Sequence, residues 1–221
     1  MLLKSFFYKA LNKLCTADIT QVLFLDKRTF VAPVVAEEIV CCFLHKDDLE
    51  ALASNSIFGL TDTFIEDFVK FGFRSVAATV NGEIIGIIFL GSGTVPSRHN
   101  SGGSVFKGIA VDTPKGAFYL FKVDVLASHR GKRANAAMIA FAVQALDSEG
   151  LQSIVTTTDW TNQPFLKSAN RLGFVCRGHA SEFVLAGKHG YLLPERLDPQ
   201  SGNPVSDPSV KDFATVRFRR D

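Results

Sequence analysis

A basic turn between a predicted strand and a predicted helix is the feature of this sequence that most suggests chemistry. Arg130-Gly131-Lys132-Arg133 follows the strand-like segment 117–126 and opens an alanine-rich segment that ends before Gly150. A helix amino terminus presents backbone N–H groups without partners and the positive end of the helix dipole, so it can bind phosphate or pyrophosphate. We interpret the turn as a candidate anion-binding site, with a solvated basic loop as the alternative.

Short strands and helices in alternation would position this turn. Asn81-Gly82 separates two apolar runs and is the dipeptide that best supports a two-residue hairpin, because both central residues of that turn need positive φ. We predict strands over 38–44, 75–80, 83–90, 117–126, 151–157 and 174–186, with a further strand ending near 191, and helices over 45–53, 61–71, 131–149 and 162–172.

Three other segments have a different composition. The segment 91–116 is rich in glycine and serine and predicts a loop that crosses between sheet strands, with a strand-like stretch at 105–111. Half of the eight prolines lie in 194–208, which predicts an extended tail in which 213–219 pairs as an edge strand. The amino-terminal residues Leu3, Phe7, Leu11 and Leu14 recur at helical spacing. They predict an amphipathic arm that docks on the domain or, as the weaker reading, lies on a membrane surface.

Composition excludes several classes of protein. The chain has 221 residues, of which 47% are hydrophobic and 21% charged, which is enough apolar material for one sizeable core. A formal charge of +2 gives no dense basic field for nucleic acid, and no apolar run reaches the roughly 20 residues of a membrane-spanning helix. The four cysteines lack the spacing of metal ligands, so we expect no metal and a reduced, cytoplasmic setting.

The basic turn and a second segment, 158–174, together resemble the GNAT superfamily of acyl-CoA-dependent N-acyltransferases. The superfamily pattern is a strand ending in Val-x-Pro-x-x-Arg-Gly-x-Gly-x-Gly/Ala, a helix, a strand, an Asn that opens the next helix, and Gly-Phe before the last strands. The residues that match it are Val125, Arg130, Gly131, Asn162, Gly173 and Phe174. The hairpin on Asn81-Gly82 fits the second and third strands of the family, and the resemblance spans about 38–192.

The resemblance implies a fold and a domain organisation. The expected fold is of the α/β (α+β) class: one domain with a GNAT-like mixed, mostly antiparallel central sheet and helices on both faces. We predict an amino-terminal arm over 1–37, the acyltransferase domain over 38–193 and a proline-rich carboxyl-terminal extension over 194–221.

The sequence departs from the family pattern at three places. Ala127 replaces the proline, and Arg133 and Asn135 replace the second and third small residues of the loop. A side chain at either position could crowd a pyrophosphate, unless the backbone stays helical there and Arg133 turns outward to contact the phosphates. Ala169 replaces a tyrosine that protonates the departing thiolate in many members. The acid would then come from elsewhere, or the thiolate leaves unaided, which its pKa of about 8.5 permits.

What the resemblance implies for chemistry is direct transfer from acetyl-CoA or another acyl-CoA, as co-substrate, to an amine. The residues expected at the CoA site are Val125, Leu126, Arg130, Gly131, Lys132, Arg133, Ala134, Asn135, Ala136 and Asn162. A backbone N–H near Val125 or Leu126 would stabilise the thioester oxygen as negative charge develops. Asn162 either contacts the pantetheine amide or caps the helix that it opens.

The candidate general bases come from strand positions. Asp159 is the first, because it lies at the carboxyl end of a predicted strand and should face the mouth of the cleft. Tyr119 is the second, because it shares strand parity with Val123 and Val125, whereas Asp124 has the opposite parity. An ordinary surface carboxylate and a core phenol are the structural alternatives for the first two.

Three functions compete at this point. The leading hypothesis is an N-acyltransferase whose acceptor is the amine of a small molecule or a protein. A catalytically degenerate relative that binds CoA, an acyl group or a protein partner without turnover is the second, since Arg133, Asn135 and Ala169 depart from the pattern. A peripheral-membrane module that uses the amino-terminal arm is the third. The sequence leaves a homodimer open and does not identify the amine.

Overall fold

The computed structural model describes residues 16–100, 109–185, 188–206 and 214–219. Within these ranges the strands are β1 (Thr16–Asp26), β2 (Val40–Leu44), β3 (Arg74–Val80), β4 (Glu83–Gly91), β5 (Gly93–Val95), β6 (Ala110–Thr113), β7 (Ala117–Val125), β8 (Ser153–Asp159), β9 (Val175–Leu185), β10 (Lys188–Leu192) and β11 (Arg217–Arg219). The helices are α1 (Lys46–Ser54), α2 (Asp62–Lys70), α3 (Ala134–Ala145) and α4 (Gln163–Arg171).

A central sheet of eight strands in the order β10-β9-β1-β8-β7-β4-β3-β2 forms the middle layer. Its neighbouring strands are antiparallel except for β7 and β8, which run parallel. Helices α1 and α2 cover one face through residues such as Leu49 and Phe68, and helices α3 and α4 cover the other through residues such as Met138 and Ala169. The predicted fold class is confirmed.

Local sequence explains the elements nearest the site. Asn81 and Gly82 have φ values of 51° and 82°, as the predicted hairpin between β3 and β4 requires. The side chain of Thr61 accepts a hydrogen bond from the Phe64 N–H at 3.2 Å and caps α2. Phe64 and Phe68 are then one turn apart and are buried on the sheet.

The first strand lies inside the segment that the sequence analysis assigned to an arm. β1 is hydrogen-bonded to β8 on one side and to β9 on the other, so the folded domain begins well before residue 38. The run Val22 to Leu25 is buried on both faces of the sheet, and a strand of that kind lacks the alternation by which strands are recognised. The predicted amphipathic arm, with Leu3, Phe7, Leu11 and Leu14, lies outside the described residues.

The carboxyl-terminal segment is also part of the fold. β11 pairs with β6, and β6 with β5, in a second sheet of three strands, in agreement with the predicted edge strand. Leu197 and Val216 are fully buried and form an isolated bridge. The described part of the 194–221 extension therefore packs on the domain, because these apolar side chains complete the core on the α2 face.

The described part of the chain was searched for membrane-spanning helices and for groups of metal-ligating side chains. No helix there is long and apolar enough to span a membrane. No group of three or more histidine, cysteine or acidic side chains there could hold a metal ion. Cys41, Cys42 and Cys176 are free thiols.

Candidate active site

The two parallel strands at the centre of the sheet separate part of the way along their length. β7 and β8 are in register only from Ala117 opposite Ser153 to Leu120 opposite Thr156, although both strands continue beyond that point. The Thr156 hydroxyl donates a 2.8 Å hydrogen bond to the Leu120 carbonyl where the pairing ends. We call the gap between 121–125 and 157–159 the β7–β8 opening.

The backbone of β7 is presented to this opening. The Leu126 N–H donates to the Ile85 carbonyl at 2.9 Å, which fixes the hydrogen-bonding phase between β7 and β4. Because narrow and wide pairs alternate in an antiparallel ladder, Val123 and Val125 direct their N–H groups away from β4 and toward the opening. Val125 is thus placed as a donor to a ligand, whereas the expected donor Leu126 is already engaged.

The turn that follows β7 leads into the amino terminus of α3. Gly131 and Arg133 have φ values of 81° and 64°, and the Ala137 N–H donates to the Arg133 carbonyl as the first bond into the helix. The N–H groups of Ala134, Asn135 and Ala136 therefore have no partner among the described residues, as expected for the first turn of a helix. No atom lies within 4 Å of where a Gly131 Cβ would be, so the space above the turn is open.

The three basic side chains of the turn between β7 and α3 have different surroundings. Arg130 donates from Nε to the Val125 carbonyl at 3.2 Å, and Lys132 is exposed. Arg133 donates from Nη1 to the Val34 carbonyl at 2.8 Å. The backbone at Arg133 is therefore not helical: the residue adopts the left-handed conformation, which glycine adopts readily. Contact between Arg133 and the phosphates stays a prediction.

A pocket of about 690 Å³ lies on the α2 face of the sheet beside the end of β7. We call it the α2–β7 pocket. Aromatic, polar and charged side chains line it, among them Phe64, His99, Asn100, Phe121, Lys122 and Asp124. Val123 also lines this pocket, and its N–H faces the β7–β8 opening. The pocket and the opening therefore meet at the same strand.

A charged cluster, in which Asp67 and His99 are buried and Arg98 is partly exposed, borders the α2–β7 pocket. Asp67 of α2 accepts two hydrogen bonds from Arg98, at 2.7 and 2.8 Å, and lies 2.9 Å from His99 Nε2. Burial raises the pKa of the Asp67 carboxyl, but the hydrogen bonds from Arg98 and His99 outweigh it and the net pKa is lowered. Burial lowers the pKa of His99, although Asp67 opposes that change.

Sequence reasoning missed this cluster. Arg98 and His99 lie in the glycine-rich segment 91–116, and Asp67 lies 31 residues before Arg98 in a helix. No spacing rule links a loop histidine to a helical aspartate at that distance, so only the fold brings them together. The adjacent pair Arg98-His99 in a long loop was the one available signal.

Tyr119, the second candidate base, is a buried core residue. Its side chain is 1% exposed, and its hydroxyl lies 2.5 Å from Thr157 Oγ1, where β8 leaves β7. Burial raises the pKa of the phenol far above its usual range. The expected parity is wrong as well, because a bulge at Phe121 puts the side chains of Val123 and Val125 on the α3 face, opposite that of Tyr119. The same bulge puts Asp124 in the α2–β7 pocket.

Asp159 and Asn162 form the turn between β8 and α4. Asp159 Oδ1 accepts hydrogen bonds of 2.6 Å from both the N–H and the hydroxyl of Thr161, and Asp159 is not among the residues lining the α2–β7 pocket. Asn162 Oδ1 accepts from the Phe165 N–H at 3.3 Å, which favours the helix-cap reading. Ala169 is buried against the core and supplies no acid.

Comparison of folds places this arrangement among known structures. No protein-family model and no curated protein matches the sequence. A GCN5-related N-acetyltransferase from Kribbella flavida is similar in structure, with a TM-score of 0.53, 17% identity, and coverage of 82% of this chain and 64% of that chain.

Two further solved structures are similar in fold. A GCN5-related N-acetyltransferase-like protein from Streptococcus suis has a TM-score of 0.51 and 13% identity over 81% of this chain and 66% of that chain. A Drosophila protein has a TM-score of 0.51 and 15% identity over 84% of this chain and 58% of that chain. This chain therefore spans less than two thirds of the length of each of the three. On this similarity, the chain has the fold of the GNAT superfamily.

Proposed function

We propose that the protein is an N-acyltransferase that transfers an acetyl or other acyl group from acyl-CoA to an amine. The observation that carries the proposal is the β7–β8 opening beside the amino terminus of α3. A backbone donor in the opening and a cluster of unpartnered N–H groups at the helix suit the two ends of one ligand, a thioester and a pyrophosphate.

The residues of the turn fit acyl-CoA as co-substrate. The N–H groups of Ala134, Asn135 and Ala136 would bind the pyrophosphate, and the open space at Gly131 leaves room for it. Arg130 and Lys132 add positive charge at the same end of α3. Arg133 leaves the turn clear, because its side chain is held by Val34. The Val125 N–H would donate to the thioester oxygen as it becomes negative.

The acceptor amine would enter from the α2–β7 pocket, which meets the opening at Val123. Its nitrogen must be neutral to attack, so the reaction needs a group that takes a proton. A bond forms between the nitrogen and the acyl carbon, the carbon–sulfur bond breaks, and the proton lost from the nitrogen ends on the CoA thiol. The acceptor can be a small molecule or a protein.

Thermal unfolding in the presence of CoA, acetyl-CoA and longer acyl-CoAs tests the proposal. A ligand at 100 times its Kd adds roughly 2.7 kcal/mol, which is roughly 5–10 °C for a chain of this size. The double variant Arg130→Ala, Lys132→Ala should lose most of that rise. The matched control is Lys46→Ala, Lys115→Ala, which removes the same charge at the opposite end of the sheet.

Acetylation of a panel of primary amines, measured by CoA release, then tests turnover. The panel contains an alkylamine, an arylalkylamine, a polyamine, an amino sugar and a lysine peptide. No thermal shift with any CoA species would contradict the proposal. A shift without acylation of any amine would favour the second candidate, a degenerate relative that binds CoA or a protein partner, which the absence of an acid at Ala169 supports.

We place the reaction in the cytoplasm, since the described cysteines are free thiols, as is usual in a reducing compartment. The proposed partners are acyl-CoA and the amine acceptor. A homodimer is a further proposal, which the sedimentation of the purified protein would test.

A further inference from the structure

We propose that His99 is the catalytic base that takes the proton from the acceptor amine, and that Asp67 is the positioning residue that orients its ring. This inference rests on the proposed function and names a residue outside the motifs from which that function was inferred. It assigns the proton transfer to a loop histidine and a helical aspartate on the α2 face, in place of Asp159.

The His99 ring is held in one orientation. Its side chain is 6% exposed and its Nε2 is 2.9 Å from Asp67 Oδ2. Phe64 and Phe73 meet the ring edge-on, with centroid distances of 5.2 and 5.7 Å, and Phe121 lies 5.7 Å away at a tilt. A base that is fixed by packing loses little freedom when the substrate binds.

The hydrogen bonds determine which ring nitrogen is basic. Arg98 holds Asp67 as a carboxylate through two charge-assisted bonds, and a carboxylate only accepts hydrogen bonds. Nε2 must therefore carry the hydrogen in the neutral ring, which leaves the lone pair on Nδ1. No hydrogen bond to Nδ1 occurs within the described residues, and His99 lines the α2–β7 pocket, from which a substrate would approach this atom.

Burial is the main reason why the His99 ring is neutral. Burial lowers the pKa of His99 and Asp67 raises it, while Arg98 on the same segment and Lys122 of β7 lower it further. The pKa is lowered overall, so the ring is in its basic form at neutral pH. Asp124 of β7 also lines the pocket, where Lys122 Nζ lies 3.6 Å from it.

The pocket places the base near the reacting strand. His99 lines the α2–β7 pocket together with Val123, whose N–H faces the β7–β8 opening. Next to His99, the side chain of Asn100 donates from Nδ2 to the Ile109 carbonyl at 2.6 Å, and its Oδ1 is buried without a partner among the described residues. An orphaned acceptor beside a base suits a substrate that donates N–H bonds.

In the proposed reaction the substrate ammonium gives up two protons, one to His99 and one to CoA. Nδ1 of His99 takes one proton from the substrate ammonium, and the neutral amine attacks the acyl carbon. The carbon–nitrogen bond forms, the carbon–sulfur bond breaks, and a second proton leaves the nitrogen for the CoA thiolate. His99 then returns its proton to solvent through the pocket.

Kinetics of His99→Gln test the inference with acetyl-CoA and the best amine of the panel. We expect kcat to fall by about 10²–10⁴-fold, the usual contribution of a general base. The KM for acetyl-CoA and the CoA-induced thermal shift should stay unchanged, because His99 packs against Phe64 on the α2 face and the turn leads into α3 on the other face of the sheet. The matched control is His179→Gln, which removes an exposed histidine of β9.

Asp67→Asn separates positioning from a purely structural role. An amide in place of the carboxylate can accept a hydrogen bond from Nε2 or donate one to it, so it fits both tautomers of the ring. We therefore expect the acid limb of the kcat/KM profile to shift and the ring tautomer, read from ¹⁵N chemical shifts, to become mixed. The wild-type ring should carry its hydrogen on Nε2. A hydrogen on Nδ1 in the wild type would overturn the inference even if the variants fail to fold.

Failure of the base assignment and failure of the proposed function give different results. If the wild type acylates an amine and His99→Gln does so within about twofold of the same kcat, the base assignment is wrong and the proposed function stands. If the wild type binds acetyl-CoA but acylates no amine, both fall. Loss of activity in Asp124→Asn with retention in His99→Gln would move the base to β7.

Discussion

The hydroxyl groups of Tyr119 and Thr157 lie 2.5 Å apart, one on each of the two strands that separate at the centre of the sheet. Tyr119 belongs to the paired part of β7, and Thr157 is the first residue of β8 beyond the pairing. The Tyr119–Thr157 hydrogen bond thus joins the two strands where their backbone pairing ends, and the β7–β8 opening begins beyond it.

Tyr119→Phe should therefore act on stability and leave proton transfer intact. Loss of one buried hydrogen bond costs about 1 kcal/mol, which lowers the Tm by roughly 2–4 °C for a chain of this size. We expect the pH profile of acylation to keep its shape, since a phenol whose pKa is raised by burial does not act as a base near neutral pH. A changed acid limb in this variant would instead support Tyr119 as a catalytic residue.

The sequence predicts elements with a local signal and misses those without one. The hairpin at Asn81-Gly82 follows from the positive φ of both residues, which few other dipeptides adopt. β1 has no such signal, because Val22 to Leu25 are buried on both faces and its partners β8 and β9 lie far away in the chain. Long-range pairing, and not local preference, decides that segment.

The candidate site divides in the same way. The turn from Arg130 to Arg133 was found because its charges and glycine are consecutive, and the structure places it at the start of α3. Side-chain direction along β7 was not predictable, since the bulge at Phe121 shifts every later residue to the other face. The Asp67–His99 pair depends on the packing of a loop against a helix, for which the sequence carries no periodic pattern.

The left-handed backbone at Arg133 gives a prediction from a pair of variants. An alanine there would keep the strain of φ = 64°, whereas glycine adopts this conformation readily. Both variants lose the same bond to the Val34 carbonyl. We therefore expect Arg133→Gly to be more stable than Arg133→Ala by about 1 kcal/mol in chemical denaturation. Equal stabilities would mean that the turn relaxes away from the left-handed conformation.

A core residue outside the predicted domain tests the carboxyl-terminal segment. Leu197 is fully buried, and its N–H donates to the Val216 carbonyl at 3.0 Å. Leu197→Ala should lower the free energy of unfolding by roughly 2–5 kcal/mol, the usual range for a leucine removed from a core. Leu192→Ala is the control, because Leu192 is 66% exposed, and it should change stability by less than about 0.5 kcal/mol. An equally mild effect at Leu197 would restore the extended-arm prediction.

His99 also makes stability depend on pH in a defined direction. Its pKa in the folded protein is lowered, and the unfolded value is about 6.5, so the unfolded chain takes up the proton first as pH falls. The free energy of unfolding should therefore begin to decrease as pH falls through about 6.5 and stop decreasing once pH is below the folded pKa. Asp67 has a lowered pKa too, so its contribution is lost in a separate window, below the ordinary carboxyl range.

Thermal unfolding of the wild type and His99→Gln between pH 7.5 and 5 measures this effect. Glutamine does not titrate, so the decrease in Tm over this range should be smaller in His99→Gln than in the wild type, with His179→Gln measured as the matched control. The comparison is independent of catalysis and of any ligand. Identical slopes in all three proteins would mean that burial does not lower the pKa of His99 in the folded protein.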